Sequence, residues 1–422
     1  MRSYNKNIKF KAFATALILL IGAVACAQVA IKTESKEFQL GDGLSFNVND
    51  GEYKFSISGF IQGVYKYEKT DGAVAVNYFN SRNAYLTLSG SMYKEKVSFM
   101  LQNNFSNGKP LLDAWVAYSP VSNLRITFGQ KQTFTNNREM TFYEDKLQFV
   151  DRGIFSSTFC NTGREFGVFF EGQIGKNNFI VKPKFAITSG DGINSFGTNS
   201  ADVDKGGLKY GGRLDILPLG SFKPGNDGYI ADLKHEDKLK ILAGVAGSLN
   251  VGASNKIGDG HAEFAFYDSS KKEKLPNYRK FYGDILFKYK GFSLLAEYVK
   301  TSASALDNSF VDSAATLPLY PTDISQYLVL GKGINIQSGY VTKSGYSLDF
   351  KYEKLTKEFN VNSSLLVNQN GYTVGLAKYL KGNNLKIQTS VTSLNQEQLN
   401  SVSNAVENVR TISGQISFLV VF

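Results

Sequence analysis

The sequence predicts an all-β chain: a transmembrane antiparallel β-barrel of about 16 strands, with its third outer loop folded inward. Three observations lead there. Apolar and polar residues alternate with period two in one short segment after another, the mark of strands that face two environments. The 422 residues include 32 Phe, 23 Tyr and 40 Gly against a single Trp, a composition suited to many strands with aromatic girdles. The gaps between segments alternate between long and short, as they must when short turns lie on one side of a membrane and long loops on the other.

Arg2, Lys6, Lys9 and Lys11 precede an apolar stretch, 12–27, that closes on Ala25-Cys26-Ala27. This reads as a signal peptide, 1–27, with Gln28 the first mature residue. A membrane helix fits less well, because the run is short and no polar stop follows. A lipidated Cys26 is a further alternative, with Ala23 a weak start for its motif. Residues 28–50 are expected to form a short periplasmic segment and 51–422 the barrel. Without Cys26 only Cys160 remains, so no internal disulfide is available. Residues 28–422 carry 43 basic and 37 acidic side chains, a net charge of +6. An exported chain with no basic block argues against a nucleic-acid partner, and mild positive charge suits attraction of small anions.

The first strand is strongly patterned. Tyr53, Phe55, Ile57, Ile61, Tyr65 and Tyr67 alternate with Lys54, Ser56, Ser58 and Gln62. Further strands are expected at 83–91, 96–105, 111–119, 124–131, 165–173, 178–188, 207–217, 238–251, 278–290, 292–300, 327–341, 345–355, 371–380, 384–394 and 409–422. The gaps at 119–123, 290–292, 341–345 and 381–384 are short and read as periplasmic turns. Those at 132–164, 189–206, 252–277, 301–326 and 395–408 are long and read as outer loops. One gap breaks the alternation: 220–238 is long on the periplasmic side. In the last strand Ile412, Ile416, Phe418, Val420 and Phe422 share one face, and Ser413, Gln415 and Ser417 the other. It should close the barrel against 53–68, with Phe422 at the periplasmic rim. Sixteen strands enclose enough width for an aqueous lumen. A soluble sandwich would leave these apolar faces wet.

With the apolar parity facing lipid, the other parity lines the lumen. Arg125 and Lys131 then point inward, as do Lys182 and Lys184, and Lys209 and Arg213, which makes one sector of wall basic. Later strands put Asp284, Glu297, Asp349 and Glu353 inside with Lys280, Lys288 and Lys351. The long gap 132–164 carries Arg138, Arg152 and Arg164 among Glu139, Glu144, Asp145 and Asp151. Folded into the lumen, it would narrow the passage and add guanidinium donors that suit anions. The plainer alternative for each charge is a solvated side chain paired with a nearby acid. Lys378 shares a lipid-facing parity near a strand end, where it can snorkel to headgroups. Catalysis has little to draw on. His235 and His261 fall on opposite sides of the membrane, and no metal-ligand spacing is present, so no catalytic residue, metal or cofactor is assigned.

Several segments resemble the phosphate-selective porin O/P family, in the family's order: GLSFNVNDGEYKFSISGFIQ (43–62), DAWVAYSPVSNLRITFGQKQTFTNNREM (113–140), GREFGV (163–168), ITSGDGIN (187–194) and GGRLDILPLG (211–220). The resemblance covers nearly the whole mature chain. It implies a sixteen-stranded, trimeric porin of the bacterial outer membrane that passes anions such as phosphate by diffusion. Phosphate-selective members use an arginine ladder and a lysine cluster; Arg125, Lys131 and Arg138 lie in the matching region, and Arg213 in the later one. The terminal strand resembles the signal by which barrel assembly machinery recognises its clients, with Phe422 as its last residue. A general porin, one selective for organic solutes, and an interaction barrel of a surface complex are the competing functions.

Overall fold

The computed structural model describes residues 40–49, 51–193, 206–260, 263–400 and 405–422. The expected signal peptide, residues 28–39 and His261 lie outside the described residues. Seventeen strands follow in order: β1 Leu44–Val48, β2 Tyr53–Thr70, β3 Val76–Met92, β4 Val97–Asn104, β5 Leu111–Val121, β6 Leu124–Gln132, β7 Arg164–Gly172, β8 Ile180–Thr188, β9 Lys209–Leu217, β10 Lys240–Asn250, β11 Asn277–Tyr289, β12 Phe292–Ser304, β13 Gly331–Val341, β14 Tyr346–Lys357, β15 Gln369–Tyr379, β16 Leu385–Leu399 and β17 Val406–Val421. Each pairs antiparallel with the next from β2 to β17, and β17 pairs with β2, so sixteen strands close on themselves. Every expected strand is present.

Two features differ from expectation. The stretch just before the barrel contains β1, which pairs with Tyr53–Ile57 of β2. There β2 runs past the end of β17, and Phe422, just after it, exchanges both backbone hydrogen bonds with Gly59. Thus β1 covers an edge that β17 leaves open, and an open edge is costly in or near lipid. A side chain at Gly59 would strike the Phe422 ring, so the closing residue needs this glycine. In addition, β3, β16 and β17 extend further at their outer ends than the alternation shows. Val76–Ser81 is exposed on both faces, so no one-sided burial imprints a period there.

The faces divide as a membrane barrel requires. Ile61, Leu86, Val116, Phe128, Phe185, Val245, Phe281, Leu348, Val374, Ile416 and Phe418 are exposed on the outside, while Gln62, Thr127, Asn335, Gln337 and Gln388 are buried inside. This inversion is stable only if the outer face meets lipid. The β11–β12 connection shows how tight the periplasmic turns are. Lys290 and Gly291 both have positive φ, 48° and 90°, as a two-residue hairpin turn of matching twist demands.

The lumen is largely filled. Residues 133–163, between β6 and β7, fold inside and carry the short helix α1, Ile154–Phe159. Phe155 and Phe159 pack with Ala246, Tyr282, Val299 and Leu355 of the wall. The segment 218–239, which contains the 220–238 gap expected to be a long periplasmic loop, also turns into the barrel. Its Phe222 and Ile230 share an apolar cluster with Phe142 and Leu147 of the inward loop and with Leu286 and Leu295 of the wall. Two plugs therefore meet inside the barrel, one from each end.

Candidate functional site

Strand alternation aims the luminal cations, and the inward loop adds more. On β6, Arg125 lies 4.8 Å above the Trp115 ring and donates to Ser98 Oγ at 3.2 Å. Lys131 is paired with Glu171 of β7 and stands 5.3 Å above Phe169. On β8, Lys184 reaches Asp215 of β9 at 3.1 Å, while Lys182 faces the same way. Arg213 of β9 pairs with Asp215 at 2.8 Å and with Asp284 of β11. Arg138 of the loop joins the same two carboxylates, with Nε donating to Asp284 at 2.8 Å. Arg125, Lys131, Arg138, Lys182, Lys184 and Arg213 thus form one continuous group.

The remaining expected cations fall into neighbouring pairs. Lys209 is paired with Glu165 and lies 3.5 Å from Asp259, which also approaches Lys280. Arg164 meets Asp113 at 3.2 Å and Glu144 at 3.6 Å. Arg152 meets Glu144 at 3.0 Å and donates to the Phe142 carbonyl at 2.7 Å. The structure therefore brings six of the nine together and gives the other three to loop anchorage. It also supplies partners that sequence reasoning missed. Asp215 was within reach of the alternation, since it stands two residues from Arg213 and so on its face. Asp259 sits in an outer loop with no period to place it.

The charge balance differs around the wall. Four of the six cations, Lys131, Arg138, Lys184 and Arg213, share three carboxylates, Glu171, Asp215 and Asp284. Among the described residues, Arg125 and Lys182 have no carboxylate at ion-pair distance. Arg125, Lys131, Lys182 and Lys184 are only partly covered, so this basic face keeps some contact with solvent inside the barrel. The acids of β12 and β14 are buried instead. Glu297 accepts the Glu139 N–H at 2.9 Å, Glu353 accepts the Phe155 N–H at 2.9 Å, and Lys351 holds Glu139 at 2.8 Å. Gln148 donates to Asp349 at 2.6 Å. These carboxylates bind the loop to the wall. Lys288, also expected to line the lumen, donates to the Tyr229 and Ala231 carbonyls at 2.7 and 3.1 Å and so holds the periplasmic plug. His235 belongs to that plug segment, and no cluster of metal-ligating side chains is present among the described residues. Lys378 lies outside the barrel, 3.6 Å above the Tyr346 ring.

One loop carboxylate predicts how the plug responds to acid. Burial raises the Glu144 carboxyl, but Arg164 and Arg152 outweigh it, with a Tyr85 hydroxyl donating at 2.7 Å, and hold it at about 2. In an unfolded chain it would titrate near about 4.3. A carboxyl lowered on folding stabilises the folded form above the unfolded value and loses that contribution as pH falls through the folded one. Loop anchorage by Glu144 is therefore expected to be complete above about pH 4 and lost between about pH 4 and pH 2. Conductance and protease access followed from neutral pH downward check this, and Glu144→Gln should release the loop without acid.

Solved structures share the architecture. The anion-selective porin from Comamonas acidovorans is 10% identical, with 87% of this chain and 100% of that chain covered and a TM-score of 0.53. The outer-membrane channel DcaP of Acinetobacter baumannii is 12% identical, covering 89% and 99%, with a TM-score of 0.52. Pseudomonas putida OprB is 10% identical, covering 86% and 94%, with a TM-score of 0.50. No protein-family model and no curated protein matches the chain. At such identities the likeness is one of fold. Together with the lipid-facing belt, it makes this chain a sixteen-stranded porin-type β-barrel of the bacterial outer membrane.

Proposed function

We propose that this protein is a porin through which small anions, phosphate among them, cross the outer membrane by passive diffusion. One observation carries the reading: on the side of the lumen from β6 to β11 six cations stand against three carboxylates, Arg125 and Lys182 with none at ion-pair distance among the described residues, and four of the six are part-exposed. An uncompensated charge beside a narrow passage favours counter-ions and repels co-ions. The buried acids do not cancel this, because they are spent on loop backbone and Lys351. The resemblance of 43–62, 113–140 and 211–220 to the phosphate-selective porin O/P family supports the same reading. With it come a homotrimer and recognition of Phe422 by barrel assembly machinery, which native mass and assembly of a Phe422 deletion would test.

The residue-level test compares Arg125→Ala with Lys131→Ala, as a double variant, against Lys378→Ala outside the lumen. A unit charge about 4 Å from an ion in water is worth about 1 kcal/mol. The double variant is therefore expected to cut the chloride-to-potassium permeability ratio several-fold, and Lys378→Ala to leave it unchanged. Equal effects would remove the basic sector as the source of selectivity.

A further inference from the structure

We propose that the basic side of the lumen holds a subsite for small organic anions with an apolar body, of the aromatic monocarboxylate class. The proposal rests on the porin reading above and names the solute that its cations are best built to receive. Several of those cations stand on aromatic faces: Arg125 over Trp115 at 4.8 Å, Lys131 over Phe169 at 5.3 Å and Lys184 over Phe134 at 5.7 Å. Trp115 is the only tryptophan of the chain, and it lies on an inward position rather than in a lipid-interface girdle. Its direct register partner on β4 is Met100. From the inward loop, Tyr143 donates its hydroxyl to Met100 Sδ at 3.8 Å. An indole, a thioether and a phenol from three separate elements thus converge, each only partly covered. Beside them stands Arg125, with no carboxylate at ion-pair distance among the described residues and Ser98 Oγ as a neighbouring polar partner.

The chemistry of this group favours one class of anion. A guanidinium receives a carboxylate through two parallel N–H bonds. An aromatic ring attached to that carboxylate would lie against the indole and thioether, which gain from covering an apolar face. Inorganic phosphate has no such face, and its full hydration would be stripped by the indole and thioether without replacement.

The experiment uses the purified full barrel. In planar bilayers, benzoate, acetate and inorganic phosphate are titrated against chloride current at fixed ionic strength. Separately, the same anions are titrated in detergent while the fluorescence of Trp115 is read. Benzoate is expected to half-block at a concentration roughly tenfold below that of acetate or phosphate, the scale of one aromatic contact. It should also quench Trp115 saturably, and Arg125→Ala should abolish that saturation. Trp115→Ala should erase the advantage of benzoate, and Trp115→Phe should restore most of it. Equal block by benzoate and acetate, or tighter block by phosphate, would overturn the subsite even if the channel prefers anions. A barrel that prefers cations but still shows saturable benzoate quenching would overturn the anion-selective reading and leave the subsite standing.

Discussion

Arg138→Ala is expected to raise single-channel conductance, weaken anion preference and lower thermal stability together. Arg138 is a loop residue that enters the wall network, bridging Asp215 of β9 and Asp284 of β11. Without it, Arg213 and Lys184 must serve both carboxylates. Removing one partner from a buried charge group costs about 3–5 kcal/mol. Part of that cost can be relieved by water entering as the loop moves, so the loss should appear as a wider and noisier pore as well as a lower melting temperature. Arg138→Lys keeps the charge but cannot span two carboxylates with one fork. It should preserve selectivity better than conductance. Bilayer recordings and heat-induced unfolding in detergent read the two consequences, and a wild-type conductance in Arg138→Ala would show that other anchors suffice.

Ile230→Asp is expected to open the lumen from the periplasmic end. Ile230 is fully buried in the cluster where the two plugs meet, among Phe142, Leu147, Phe222 and Leu286. A carboxylate there would stand among apolar side chains, and burying one unpaired is so costly that a segment able to leave does leave. The sixteen-strand closure does not depend on 218–239, so the barrel should still assemble. The expected result is a large rise in conductance with new protease cleavage between β9 and β10. Lys288→Met should act in the same direction more mildly, since it removes the ammonium that gathers the Asn226, Tyr229 and Ala231 carbonyls. Protection of this segment in Ile230→Asp would contradict its role as a plug.

Both predictions fall on side-chain contacts that the sequence pattern does not disclose. Lipid on one side and water on the other force alternation, so Leu124, Ile126 and Phe128 disclose the direction of Arg125 from the sequence alone. The same rule makes Asp215 readable from Arg213. Loop placement has no such rule. Arg138 and Asp284 are 146 residues apart, and nothing in either neighbourhood announces the pair. Phe222 and Ile230 are anomalous for an exposed turn, but their partners Phe142 and Leu147 come from the opposite loop. The β1 strand escapes the pattern because its edge role depends on where β17 stops, a property of closure rather than of residues 44–48. The inward direction of Arg125, Lys131, Lys182, Lys184 and Arg213 follows from alternation, whereas the placement of Glu171, Asp215 and Asp284 beside members of this group emerges only from the fold.

An excess of cations over carboxylates on the open side of the lumen underlies the proposed selectivity. The zero-current potential of the wild-type barrel across a potassium chloride gradient tests it most directly. A potential of the sign set by chloride is expected, shrinking as total salt rises and screens the wall. A potential of the sign set by potassium would contradict it.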